Sequence, residues 1–122
     1  RLQNAFALLA CYLDSKEAIP TRFTVDKIVN LRDEDLLGED WSGHDLGEIC
    51  NKIGNLVVTD LPKRYNSVLE KYDYYRHSKS EYVKNVFSSP TFSYENWKER
   101  NSHLQKVLAK FFNKPENNVE ND

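Results

Sequence analysis

Phe23-Thr24-Val25-Asp26-Lys27-Ile28-Val29, residues 23–29, is the stretch on which the fold class turns. Its β-branched letters suit a strand. The spacing of Val25, Ile28 and Val29 suits a 3.6-residue helix instead, and strict alternation fails where Ile28 meets Val29. Thr24 is placed to cap such a helix, which would carry Val25, Ile28, Val29 and Leu31. On that periodicity the expectation is helix, and the whole chain reads as all-α, a compact bundle of about six helices. The competing reading pairs Phe23–Val25 with Leu56–Thr59 as short strands and makes a small α+β, winged-helix-like domain.

Working outward, the upstream segment carries a wide stripe of Leu2, Ala5, Phe6, Leu8, Leu9, Tyr12 and Leu13 on strong helix formers. Pro20 then enforces a loop. Downstream, Leu46, Ile49, Cys50 and Ile53 recur at i, i+3, i+4 and i+7, behind a start signal at Ser42–Asp45 and ahead of a Gly54–Asn55 stop. Asp60 is expected to cap a further helix with Pro62 in its first turn and Tyr65, Val68, Leu69, Tyr72 and Tyr75 on its buried face. Ser78 or Ser80 opens a shorter helix holding Tyr82, Val83, Val86 and Phe87. The longest helical signal is Ser93–Asn113, with Trp97, Leu104, Val107, Leu108 and Phe111 on one face and Pro115 beyond its end.

The chain has 122 residues, of which 39% are hydrophobic, 12% aromatic and 30% charged. That aromatic content argues against disorder, and the length suits a single core. Residues 1–115 read as one helical domain cut from a larger protein, since the chain starts at Arg1 and holds no methionine. The polar residues 116–122 read as a disordered tail. No signal peptide and no run of ~20 apolar residues is visible. Cys11 and Cys50 each sit inside an apolar helical pattern, which points to free, packed thiols and to an intracellular setting, nuclear or cytoplasmic.

A net charge of −2 hides a division: residues 1–60 carry −5 and residues 61–115 carry +6. The most acidic part is 33–45, where Leu36, Leu37 and Trp41 stand as apolar contacts among six carboxylates. Its acids do not follow the spacing of a calcium loop, so no metal is expected. The basic part interleaves Lys63, Arg64, Lys71, Arg76, Lys79 and Lys84 with tyrosines, among which Tyr74 falls off the buried stripe.

No G-x-S-x-G, phosphate-loop, H-E-x-x-H or C-x-x-C string occurs, and His44, His77 and His103 stand apart from any nucleophile motif. The expectation is therefore a non-catalytic scaffold or regulatory domain, without cofactor or small-molecule substrate, inside a larger intracellular eukaryotic-type protein. Its partner would be another protein or a second copy, met through Leu36, Leu37, Trp41 and Phe112. The alternative is a DNA- or RNA-binding helical or winged-helix module that uses Lys63, Arg64, Lys71, Tyr74, Arg76, Lys79 and Lys84.

Overall fold

A computed structural model describes residues 2–19, 21–60, 65–86 and 91–113. Within them the chain is mostly helical, with one two-stranded antiparallel sheet. The helices are α1 (Leu2–Ser15), α2 (Leu46–Ile49), α3 (Val68–Arg76), α4 (Glu81–Lys84) and α5 (Tyr94–Phe112). Three 3-10 helices, Leu31–Leu36, Glu39–Trp41 and Ile53–Asn55, fill the connections. The strands are β1 (Thr24–Lys27) and β2 (Leu56–Thr59), in register Thr24↔Thr59 through Lys27↔Leu56.

The stretch at 23–29 is thus a strand where its period favoured a helix. Residues Leu56–Thr59 supply a pairing partner, and tertiary pairing overrides a three-residue periodicity. The Ile28–Val29 doublet that broke the alternation lies just past the ladder, and both residues are fully buried. Ile28 N donates to Asn55 O at 2.9 Å. At Val29 the partner is a side chain: Asn55 Oδ1 accepts from Val29 N and Asn55 Nδ2 donates to Val29 O, both at 2.9 Å. The ladder therefore continues one residue further through an amide group.

Strand β2 is buried throughout and splits the core in two. Val57 faces a larger cluster with Ile28, Trp41, Leu46, Ile49, Tyr75 and Trp97. Leu56 and Val58 face a smaller one with Ala7, Ala10, Cys11 and Leu104. Helix α1 packs through those small side chains, so its buried seam is not the stripe of large residues read from sequence; Leu2 and Tyr12 are exposed. Small residues allow the close backbone approach that a flat strand face demands.

Helix α5 starts where expected, with Ser93 Oγ accepting from Asn96 N at 3.0 Å and Asn96 Oδ1 accepting from Ser93 N at 3.0 Å. It buries Trp97 and Leu104, while Phe111 at its end stays exposed. Gly54 is required by packing: a Cβ there would lie 2.4 Å from Asn101 Cβ, against the backbone of α5. The stop assigned to Gly54 by sequence is therefore a close approach between Ile53–Asn55 and α5. Helix α4 is capped by Ser80, whose Oγ accepts from Val83 N at 3.2 Å. The cap of α3 is Ser67 and not Asp60, and Leu69, assigned to the core by its spacing, is 72% exposed. The anticipated tail, Pro62 and Pro115 lie outside the described residues.

The two oppositely charged halves of the sequence meet inside the fold, mainly through hydrogen bonds. Asp26 accepts from Tyr75 Oη at 2.8 Å and Tyr65 Oη at 3.1 Å. Asp40 accepts from Tyr94 N at 2.7 Å, and Glu17 from Ser80 Oγ at 2.6 Å and Glu81 N at 3.0 Å. Asp14 lies 2.7 Å from His103 Nε2. No described helix is long and apolar enough to cross a membrane.

Candidate functional site

Between the 3-10 helix Leu31–Leu36 and the start of α3 lies an open cavity of about 340 Å³, with Arg32, Asp33, Leu36, Tyr65 and Lys71 on its walls. Each wall has a local cause. Asp33 folds back so that its Oδ2 accepts from Asn30 N at 3.1 Å, closing the first turn of the 3-10 helix and burying the carboxylate. Opposite, Ser67 Oγ accepts from Glu70 N at 3.1 Å and Glu70 Oε2 from Asn66 N at 3.0 Å, a reciprocal cap that satisfies the positive end of α3. One turn on, Lys71 points inward.

Lys71 is 3% exposed, and its Nζ donates to Lys27 O at 2.8 Å on the outer edge of β1. Burial lowers its pKa from the usual 10.5, and the nearby carboxylates of Asp26 and Asp33 act against that shift. Tyr65 moves the other way: burial, then the negative charge of Asp26 beside its hydroxyl, raises its pKa. The walls hold two cations, Arg32 and Lys71, and one carboxylate, Asp33, with the carboxylate of Asp26 close behind Lys71. The flanking elements carry exposed leucines: Leu31 and Leu36 on the 3-10 helix, Leu36 at 66%, and Leu69 on α3.

Leu36 and Lys71, assigned by sequence to different functions, are thereby brought into one cavity. Leu37, the next residue, turns to the other side and packs on the core. Trp41 is 6% exposed; its Nε1 donates to Phe92 O at 3.2 Å and its ring meets Tyr94 edge-on at 5.6 Å. It is a core residue, not a surface anchor, because the turn Glu39–Trp41 rolls it inward. Phe112 is exposed but belongs to another place: it packs edge-to-face on Phe6 of α1, with ring centroids 5.9 Å apart.

Of the residues grouped as a basic surface, Lys63 and Arg64 lie outside the described residues. Lys71 is withdrawn from solvent, since its helical position faces β1 and the tyrosines around it. Tyr74 is half-buried, its hydroxyl donating to Glu70 Oε1 at 3.3 Å. Arg76 and Lys79 are exposed, and Lys84 pairs with Glu81 at 3.2 Å.

The sequence allows Arg100 as a surface cation for nucleic acid, whereas the structure turns it inward. Its Nη1 donates to Gly54 O and Leu56 O, each at 2.9 Å, and its Nη2 to Tyr82 Oη at 3.2 Å. One charged letter in a helical stripe carries no sign that three elements converge on it. Cys11 and Cys50 are free and buried, and burial raises both thiol pKa values, the reverse of an activated nucleophile. His44 stacks on Tyr94 at 3.6 Å. Among the described residues, no three His, Cys, Asp or Glu side chains gather as a metal site.

No protein-family profile, curated protein or solved structure matches the chain.

Proposed function

We propose that this chain is a non-catalytic interaction domain, and that the cavity between Leu31–Leu36 and α3 receives a short segment of a partner protein. The segment has a carboxylate side chain beside leucine-sized apolar ones. The observation that carries the reading is Lys71, a nearly fully buried ammonium with one hydrogen bond among the described residues, on the wall of an open cavity beside Arg32. A carboxylate entering there meets the Arg32 guanidinium and the Lys71 ammonium, both able to form charge-assisted hydrogen bonds to it. Exposed Leu36 on the wall offers an apolar contact beside it. Two free buried thiols suit a reducing, intracellular compartment, nuclear or cytoplasmic.

The test is a fluorescence-anisotropy titration with a panel of labelled peptides that combine Asp or Glu with leucines, against wild type and Arg32→Glu. Arg32 is exposed, so the charge reversal leaves the fold intact. Tighter binding of acidic than of neutral or lysine-bearing peptides, reduced at least about tenfold by Arg32→Glu, is the expected result. Equal binding by both proteins defeats the proposal. Salt-sensitive binding of DNA or RNA with no peptide binding would favour the nucleic-acid reading instead, with Arg76 and Lys79 as its exposed cations.

A further inference from the structure

The outer edge of β2 carries a second binding feature, independent of the Leu31–Leu36 cavity. In an antiparallel pair, residues alternate between those that bond across the ladder and those whose amide and carbonyl point outward. The bond from Ile28 N to Asn55 O fixes the phase: Asp26–Val57 and Thr24–Thr59 bond inward, while Lys27–Leu56 and Val25–Val58 point outward. Two side chains agree with that phase. Lys71 Nζ reaches the outward carbonyl of Lys27 and Arg100 Nη1 the outward carbonyl of Leu56, so cations close both edges at that end of the sheet.

Two residues further along β2, no such closure is present among the described residues. Val58 is buried, yet its outward amide donates no hydrogen bond there and its outward carbonyl accepts none. Beside it lies an open cavity of about 400 Å³ whose walls include Cys11 of α1, Ala18, Val58, Thr59, Lys79 and Val83 of α4. Neighbouring side chains of a strand point to opposite faces, so a cavity that touches both Val58 and Thr59 lies along the strand's edge. A buried main-chain donor and acceptor side by side call for a matching acceptor and donor. Another extended main chain supplies both at the right spacing, and Cys11 and Val83 offer apolar contacts to its side chains.

We infer that this slot binds an extended peptide segment of a partner, which adds to β2 at Val58 as a short third strand. The partner is recognised chiefly by its backbone, with small apolar side chains directed at Cys11 and Val83. The inference does not rest on the Leu31–Leu36 cavity.

The experiment is selection of phage-displayed random dodecapeptides on the 122-residue chain. The best peptide is then titrated against wild type, Ala18→Arg and Arg32→Glu. Ala18 is exposed on the rim, so arginine there obstructs the slot without entering the core. The expected result is binding weakened at least about tenfold by Ala18→Arg and unchanged by Arg32→Glu, with unaltered thermal unfolding. Methylating the peptide amide that faces Val58 abolishes binding, and the bound peptide slows hydrogen exchange at the Val58 amide. A peptide sensitive to Arg32→Glu but not to Ala18→Arg overturns the inference. So does failure to select any peptide, which would leave water as the only partner of Val58.

Discussion

At the scale of single residues, Asn55 ties two elements together through one buried side chain. It is fully buried, and besides the two bonds to Val29 its Nδ2 donates to Cys50 O at 3.0 Å. One amide thereby extends the sheet by a residue and ties it to the end of α2. Truncation to alanine strands the Val29 amide and the Cys50 carbonyl and leaves Val29 O only the weak Cys50 Sγ donor, so Asn55→Ala should cost on the order of 3 kcal/mol. Asn55→Asp is nearly isosteric but replaces the donating NH₂ with an oxygen facing two carbonyl oxygens in a water-free site. It should be the more damaging change, although it alters the fewest atoms. Urea unfolding of the two variants decides this, and an Asp variant as stable as wild type would mean that the amide is not the bridge. Lys71 and Trp41 make the same point from the other side: burial is set by which way a residue faces, and an isolated letter does not state that.

At the scale of elements, Arg100 holds α5 against the Ile53–Asn55 turn, β2 and α4 together. Its guanidinium satisfies carbonyls that the sheet and the 3-10 helix leave open, in a fork geometry that an ammonium cannot reproduce. Arg100→Met should therefore lose about 3 kcal/mol, and Arg100→Lys should recover only a minor part of it. Equal denaturant midpoints for wild type and Arg100→Lys would show that charge alone suffices. Elements governed by neighbours in sequence were legible beforehand: the caps at Ser93 and Ser80 and the length of α5. The stripe Leu46–Ile49–Cys50–Ile53 is buried, but its helix stops at Ile49 and Ile53 sits in a separate 3-10 helix. Elements governed by distant partners were not legible. Strand β1 owes its form to residues some thirty positions away, so local periodicity pointed to a helix. Leu69 looked like core because its spacing fits the stripe, yet α3 spans only Val68–Arg76 and presents Tyr72 and Tyr75 inward. Of the site, Leu36 was legible as an apolar residue in a charged loop. The cavity was not, because Lys71 joins it only through the docking of α3 onto β1.

At the scale of the whole molecule, the buried titratable groups set an alkaline limit to the fold. The thiols of Cys11 and Cys50 are raised from 9.0, and the phenols of Tyr65, Tyr72, Tyr75 and Tyr82 from 10.0, with Tyr72 pushed up to about 12. Desolvation of the charged form is the leading cause in each case, and at Tyr65 and Tyr75 the carboxylate of Asp26 adds to it. A group whose folded pKa lies above its unfolded value keeps its proton in the native state after the unfolded chain has released it. Stability is then fully present below the unfolded pKa and falls as pH rises from there towards the folded one. Lys71 has the opposite sign: its folded pKa is lowered from 10.5, so its contribution becomes more favourable as pH approaches 10.5. Among the described residues six raised groups oppose one lowered group, so their net slope is negative. The urea midpoint should decline gently from about pH 9, where the unfolded thiols ionise, and steeply above pH 10, where the unfolded phenols do. Tyr65→Phe removes one of those phenols, and Tyr75 still donates to Asp26. That variant should lose some stability at pH 8 yet show a shallower decline above pH 10 than wild type. A decline of the same steepness would mean that Tyr65 ionises equally readily in the folded and unfolded chains, and that the Asp26–Tyr65–Tyr75 cluster does not withhold its protons from alkaline solvent.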